Sequence, residues 1–288
     1  MNGCIVLTND DGIEAPAIHS LAGLLVKDGH RVVIVAPLEN KSACGMSLTL
    51  RQKMGIKRYV DRECEGLRVY SIDGTPCDCV IAVGDGLLQR MGMDLVPRLV
   101  VSGVNIGSNM SVDSWHSGTM AAAREAGLYG MPGLAASLST FESETMEQAV
   151  TATHQVIRKL LNLLPEMPVN WPRDIHSDTS TNILECLVRG DAFLNLNIPP
   201  DWNGIFRHTR LGRRYYLGAL SIEGDSIQIG AADIIDEATE AGDVDADSQG
   251  YASLSLLATH PHQHPSMPDE SVFRQHLEED WLQLQSRR

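Results

Sequence analysis

A short apolar run, Cys4-Ile5-Val6-Leu7-Thr8, passes directly into Asn9-Asp10-Asp11-Gly12. No other junction limits the fold as tightly. The run is β-prone and does not alternate with polar residues, the pattern of a strand buried on both faces. Two adjacent carboxylates stand where that strand should end. In open parallel sheets, ligands bind outside the carboxyl ends of the strands. The junction thus proposes a sheet type, a place for a site, and oxygen ligands for a hard cation.

The chain that follows supports a parallel sheet. Ile13 to Lys27 reads as a helix, with Pro16 tolerated in its first turn and Ile18, Leu21, Leu24 and Leu25 forming an apolar stripe. Gly29 ends it, and Arg31 to Ala36 reads as a second buried strand closed by Pro37. A βαβ start of this kind makes the two strands parallel with a right-handed crossover. Leu99–Val104, Gly133–Leu138 and Ala192–Ile198 read as further buried strands, and Ser47–Leu50 and Val69–Ile72 as shorter ones. Thr75-Pro76 is an N-cap followed by proline at the first helical position, opening a helix toward Gln89. Further helices are expected from Met120 and over Met146–Leu164, and a surface loop over Pro165–Thr181.

Beyond Pro199-Pro200 the composition changes. Arg214–Leu220 and Ser226–Ala231 alternate around Glu223-Gly224-Asp225, a hairpin signal. Such an arm has too little core of its own and should lie on the main domain or on another subunit. Tyr251–Leu257 reads as a last strand and Phe273–Gln285 as a terminal helix. The expectation is an α/β, Rossmann-like, mostly parallel sheet flanked by helices, with a late β-hairpin arm. Residues 1–200 would form the catalytic core, and 201–288 the arm, last strand and tail.

Charge narrows the partners. The 288-residue chain has a formal net charge of -14, which argues against a broad basic face for a nucleic-acid polymer. A small phosphorylated substrate remains compatible, because a bound cation and local amides outweigh net charge at one site. Met1-Asn2-Gly3 has no signal-peptide character, and no apolar run approaches a membrane span. The six scattered cysteines suggest reduced thiols and a cytoplasmic location. Cys77-Asp78-Cys79 reads as small residues packing a first helical turn, where positions i and i+2 diverge, rather than as a metal site.

Three polar clusters share one expected position, the carboxyl edge of the sheet: Asp10 and Asp11, then Asn40 and Ser42, then Asn105. Carboxylate, hydroxyl and amide oxygens without thiolate or imidazole suit Mg²⁺, Mn²⁺ or Ca²⁺ rather than zinc. Ser117-Gly118-Thr119 opens a helix, where free amides and the helix dipole form an anion site. Taken singly, the diacid reads as a helix cap, Ser42 and Asn105 as loop hydrogen-bonders, and Ser117 as another cap. Their shared edge favours the joint reading, a cation beside a phosphate site, which is what phosphoester hydrolysis needs.

With these residues in view, the chain resembles the SurE (survival protein E) family of metal-dependent nucleotide phosphatases. The resemblance rests on Thr8-Asn9-Asp10-Asp11-Gly12-Ile13, Ala36-Pro37 with Asn40, Ser42 and Ser47-Leu48-Thr49, and Asp73-Gly74-Thr75-Pro76 with Asp78-Cys79-Val80. Val101-Ser102-Gly103-Val104-Asn105-Ile106-Gly107-Ser108-Asn109 is its strongest piece, followed by Ser117-Gly118-Thr119 and Ala121-Ala122-Ala123-Arg124-Glu125. Asn195-Leu196-Asn197-Ile198-Pro199, Asp243-Val244-Asp245-Ala246 and Gly250-Tyr251 also fit.

The resemblance implies one divalent cation per subunit, held by Asp10, Asp11, Ser42 and Asn105. It implies hydrolysis of nucleoside 5'-monophosphates through metal-activated water, with Asp10, Asp11 and Asn105 as the catalytic set. Family members also act on 3'-nucleotides and some on polyphosphate. Ser117, Gly118, Thr119, Asn9 and Asn109 form the expected phosphate-binding set. A homodimer or homotetramer exchanging the late arm is also implied. This chain departs from the family pattern at Leu38-Glu39, usually Asp-Arg, at Ala43, usually Gly, at Met110-Ser111, usually Leu-Gly, and at His116, commonly Tyr.

His116 could protonate a leaving oxygen or simply replace an aromatic ring. His260, His262 and His264 alternate and read as a solvated tail rather than a metal site. An acyl-phosphate on Asp10 or Asp11 is a mechanistic variant. A metal-dependent glycosyltransferase and a nucleotide-binding sensor without turnover are the competing functions.

Overall fold

Strand β1 (Asn2–Thr8) lies between β2 (Val32–Pro37) and β5 (Leu95–Ile106) and runs parallel to both, with Val6 beside Val33 on one side and Val100 on the other. The computed structural model describes residues 2–174, 180–230 and 232–261. Between β1 and β2 runs helix α1 (Pro16–Lys27), and β3 (Ile56–Arg58), β4 (Leu67–Ile72), α2 (Pro76–Gly84) and α3 (Leu87–Arg90) precede β5. After β5 come α4 (Asp113–His116), α5 (Gly118–Leu128), β6 (Gly133–Leu138), α6 (Met146–Leu163), α7 (Ile183–Val188) and β7 (Ala192–Ile198). The last part holds β8 (Phe206–Thr209), β9 (Arg213–Leu217), β10 (Leu220–Glu223), β11 (Ser226–Ile229), β12 (Asp233–Glu237), α8 (Asp243–Ser248) and β13 (Ala252–Ala258).

Nine strands form the main sheet in the order β3-β4-β2-β1-β5-β6-β7-β13-β8. The order reverses direction at β1: the chain first adds β2 on one side, then returns to add β5 on the other. A crevice opens at such a switch point, at the carboxyl ends of β1 and β5. The sheet is mostly parallel, as expected; β3 runs antiparallel to β4, and β13 antiparallel to β7.

Why β1 is apolar without alternation is now visible. Ile5 and Leu7 face one layer with α1 and α6, packing with Ile18, Leu21, Val156 and Leu160. Cys4 and Val6 face the other with α2 and α5, against Val80, Val83, Ala122 and Ala126. Successive side chains of a strand point to opposite faces, so a sheet covered on both needs apolar residues at every position.

Helix α2 starts as its sequence dictates. The Thr75 hydroxyl accepts the Asp78 N–H, the Asp78 carboxylate accepts the Thr75 N–H, and Pro76 takes the first helical position. Cys77 and Cys79 are buried free thiols on this helix, and all six cysteines are free. The single helix expected toward Gln89 is instead two, separated by Asp85 and Gly86.

Residues 47–50 are not a strand. The Ser47 carbonyl accepts the Thr75 hydroxyl at 2.7 Å, and the Thr49 N–H donates to the Asp78 carboxylate at 3.1 Å. Backbone groups that would have joined a ladder are taken by side chains at the start of α2.

The late hairpin arm is present. Its turn is at Gly224-Asp225, with Glu223 paired to Ser226, so β10 and β11 make a two-residue hairpin. Further from the turn the Gly230 N–H donates to the Ala219 carbonyl, and β9 pairs with β12 from Leu217 and Asp233 to Arg213 and Glu237. The arm is therefore two antiparallel ribbons joined end to end. The expected strand end at Ala231, the terminal helix over Phe273–Gln285, and His262 and His264 lie outside the described residues. No helix among the described residues is long and apolar enough to cross a membrane.

One buried acid packs between α2 and α5. Burial, and then the nearby Asp78 carboxylate, push the Glu125 carboxyl up to about 7. A carboxyl raised in the folded state contributes stability below its unfolded pKa and loses it as pH rises through the folded value. Glu125→Gln should therefore raise the Tm at pH 8 and leave it unchanged at pH 5. Equal shifts at both pH values in thermal denaturation would remove Glu125 ionisation as the cause.

Candidate active site

The loop leaving β1 is closed by its own first residue. The Asn9 side chain accepts the Gly12 N–H at 3.1 Å and donates to the Gly12 carbonyl at 2.9 Å. Two backbone bonds then tie this loop to the one leaving β2, Lys41 N–H to the Asp10 carbonyl at 2.6 Å and Ile13 N–H to the Pro37 carbonyl at 2.8 Å. That stitching carries Ser42 to the side of Asp10.

Asp10 is only 3% exposed. Its carboxylate accepts the Thr119 hydroxyl at 2.5 Å, and the backbone N–H groups of Gly118 and Thr119 also face it. The free amides opening α5 thus point at an anion, and in this structure that anion is the Asp10 side chain. Glycine at 118 permits the approach: a Cβ there would stand 2.9 Å from the Asp10 Cβ and 2.8 Å from the Cys44 sulfur. Ser117 caps the same helix by accepting the Met120 N–H at 3.0 Å.

Asn105 ends β5. Its Nδ2 donates to the Gly107 carbonyl at 2.8 Å, which fixes the amide and leaves Oδ1 as its opposite end. The loop beyond is held from β7: the Asn195 and Asn197 side chains donate to the Asn109 carbonyl, and Asn197 Oδ1 accepts the Asn109 N–H at 2.8 Å. Asn109 Nδ2 donates to Ser137 Oγ at 2.7 Å. With its N–H, its carbonyl and its side chain all bonded, Asn109 holds this loop in one conformation.

These ends meet in one cavity of about 750 Å³. Asp10, Ser42, Asn105, Asn109 and Ser117 line it, together with His116, which is exposed. Asp11 does not line this cavity, yet it stays close enough to Asp10 to feel its charge. It lines an adjoining cavity of about 730 Å³ against Pro16 on α1 and Met146 and Val150 on α6, and Ile106 lines both cavities. Asn9, Gly118 and Thr119 are buried behind the first cavity rather than lining it.

Both carboxyls are raised. Burial drives the Asp10 carboxyl up against the donors that favour its charge. For Asp11, burial and then the Asp10 charge push the value up to about 6, opposed by the Ile106 N–H. Among the described residues, no lysine or arginine is ion-paired to either. Also among the described residues, no three His, Cys, Asp or Glu side chains are grouped to hold a metal ion. A cation here would draw on hydroxyl and amide oxygens as well as carboxylates, and Ser42 and Asn105 supply them. That donor set fits a hard divalent ion.

The rest of the lining was not legible in the sequence. Phe141 follows β6, and Arg214, Tyr216 and Ile234 come from β9 and β12. Arg214 forks onto Asp236 across the ribbon, at 2.8 and 2.9 Å, and its Nη1 reaches Ser108 Oγ at 3.2 Å. The arm therefore completes the cavity within a single chain. Nothing in the alternation of 213–217 distinguishes a ribbon that covers a site from one that only packs.

Comparison with known proteins follows the same outline. The family model described as "Survival protein SurE" matches residues 5–217. The 5'-nucleotidase SurE of Caldanaerobacter subterraneus subsp. tengcongensis is 36% identical over 221 residues, covering 74% of this chain and 72% of that protein. The 5'-nucleotidase SurE of Laribacter hongkongensis is 32% identical over 262 residues, covering 88% and 92%. The crystal structure of the SurE protein from Aquifex aeolicus superposes with a TM-score of 0.65 at 27% identity, covering 95% of this chain and 99% of the other.

Proposed function

The chain belongs to the survival protein SurE family, and from that premise we propose that it is a 5'-nucleotidase. It removes phosphate from nucleoside 5'-monophosphates, with Mg²⁺ or Mn²⁺ as the divalent cation. The observation that carries this reading is the shared cavity at the switch point of the sheet, lined by Asp10, Ser42 and Asn105 from three different strand ends.

Asp10 and Asp11 would hold the cation with Ser42 and Asn105. Bound there, it supplies Lewis-acid charge for the phosphoryl group and acidifies an attacking water. Thr119 and the α5 amides fix the Asp10 carboxylate so that one orientation is presented. Asn105 keeps its Oδ1 turned outward because Gly107 takes its Nδ2. The Ser117 hydroxyl and the 107–109 loop are the groups left to orient the phosphate, and His116 stands where a leaving oxygen would emerge. A raised Asp11 carboxyl also predicts that metal affinity falls as pH drops through about 6, because protons compete for the ligand. Mn²⁺ titration at pH 5 and 7.5 checks this; equal affinity would remove Asp11 as a ligand.

A homo-oligomer is supported by the arm, where Leu220, Ile222, Ile227 and Ile229 are all exposed on ribbons with little core. Free thiols are compatible with a cytoplasmic setting. Neither the glycosyltransferase nor the silent sensor is favoured by the family.

The direct test measures phosphate release from a panel of 5'- and 3'-nucleotides with Mg²⁺, Mn²⁺ or EDTA. Metal-dependent release is expected, with EDTA abolishing it. Silence across the panel and on an aryl phosphate, in folded protein, overturns the reading.

A further inference from the structure

We propose that Phe141 is the base-stacking residue of this site and sets its preference for nucleotides over phosphoesters without a base. The inference rests on the nucleotidase reading and names the half of the substrate that reading leaves unassigned.

Phe141 is 87% exposed. A single exposed apolar side chain needs no explanation, but this one is not alone and not loose. Its ring lies against Gly107, where a Cβ would stand 2.8 Å from Cε1, 3.3 Å from Cζ and 3.4 Å from Cδ1. Gly107 belongs to the loop leaving Asn105, so the ring is seated on the site itself. At 87% exposure most of the ring stays open, and an aromatic ring presents its stacking surface on the face.

The same cavity carries two chemistries: polar groups from Asp10, Asn105 and Ser117, and apolar or aromatic side chains from Phe141, Tyr216 and Ile234, each of these three more than 40% exposed. Arg214 also lines it, held on Asp236. A nucleoside monophosphate combines a dianionic phosphate with a flat π-system. With the phosphate at Asp10 and Asn105, the base is left to the exposed rings of the same cavity. Stacking is tolerant of base identity, because every base has a π-face.

The test compares wild type, Phe141→Ala and Phe141→Trp on adenosine 5'-monophosphate and on ribose 5-phosphate, which lacks the base. Removing a stacking ring should raise KM for the nucleotide by about tenfold to a hundredfold. kcat/KM for ribose 5-phosphate should stay within twofold of wild type, and Phe141→Trp should keep nucleotide KM at or below the wild-type value. Equal losses on both substrates, or no change on either, overturn the proposal. A second measurement does not depend on turnover: the extra indole fluorescence of Phe141→Trp should be quenched by adenosine and not by ribose. If wild type hydrolyses neither substrate, the nucleotidase reading fails and this fluorescence alone decides the stacking. A blue-shifted indole insensitive to adenosine would mean that a second copy of the chain already covers the ring, and it too overturns the proposal.

Discussion

Replacing Asp10 by asparagine will reduce metal-dependent phosphate release by about 10³-fold in kcat/KM while the protein stays folded. The two halves of this expectation have separate causes. Activity falls because one of the two adjacent carboxylates proposed to hold the cation is lost. The fold survives because the carboxamide fills the same space, 3% exposed, and relieves the burial of a charge. Part of that relief is offset, since the Thr119 hydroxyl and the Gly118 and Thr119 amides then face a group with only one acceptor atom. Steady-state kinetics, Mn²⁺ titration and thermal denaturation read the three quantities separately. Full retained activity removes Asp10 from the site; loss of activity only in parallel with unfolding makes it a structural residue.

The second large effect falls on stability. Asp243 is fully buried at the start of α8, and its carboxylate accepts three backbone N–H groups: Gly212 at 2.7 Å, Val244 at 2.9 Å and Ser111 at 3.2 Å. These come from the entry to β9, from α8 itself and from the loop after β5. Asp243→Ala leaves all three donors without their acceptor, and each unpaired buried amide costs about 1–3 kcal/mol. A loss of about 3–5 kcal/mol is expected in urea denaturation, with Asp243→Asn smaller because it keeps one acceptor oxygen. Because the ribbon lining the cavity starts at Gly212, KM should rise in whatever fraction remains folded. A loss under about 1 kcal/mol for the alanine variant would show that water or neighbouring groups replace the carboxylate.

How much was legible in the sequence depends on how local the cause is. The strands over Gly133–Leu138 and Ala192–Ile198 match residue for residue, because burial on both faces writes itself into every position. The start of α2 was equally plain, since capping is decided within four residues. Ser47–Leu50 misled because its β-prone composition is overruled by Thr75 and Asp78, nearly thirty residues away. The pairing of the short strand β8 with β13 is likewise a long-range choice that no window of sequence records. At the site, the diacid, Ser42 and Asn105 could be found because the carboxyl edge of a parallel sheet is a fixed place. That the α5 amides face Asp10, and that Asp11 lines a separate cavity, could not, because both turn on side-chain direction. Phe141 carried no signal at all, since a lone aromatic residue in a loop has no period.

The cavity draws on two kinds of support. Asp10 and Asn105 sit at strand termini of the main sheet, positioned by the packing that makes the chain fold. Tyr216 and Ile234 sit on β9 and β12, a ribbon outside that sheet. Substitutions along the ribbon can therefore accumulate in descendants of this chain without disturbing the sheet. Inheritance acts on the two sets separately: the strand termini, where Asp10→Asn keeps the fold and loses the reaction, are held by selection on the reaction itself, and the ribbon is open to drift toward other substrates.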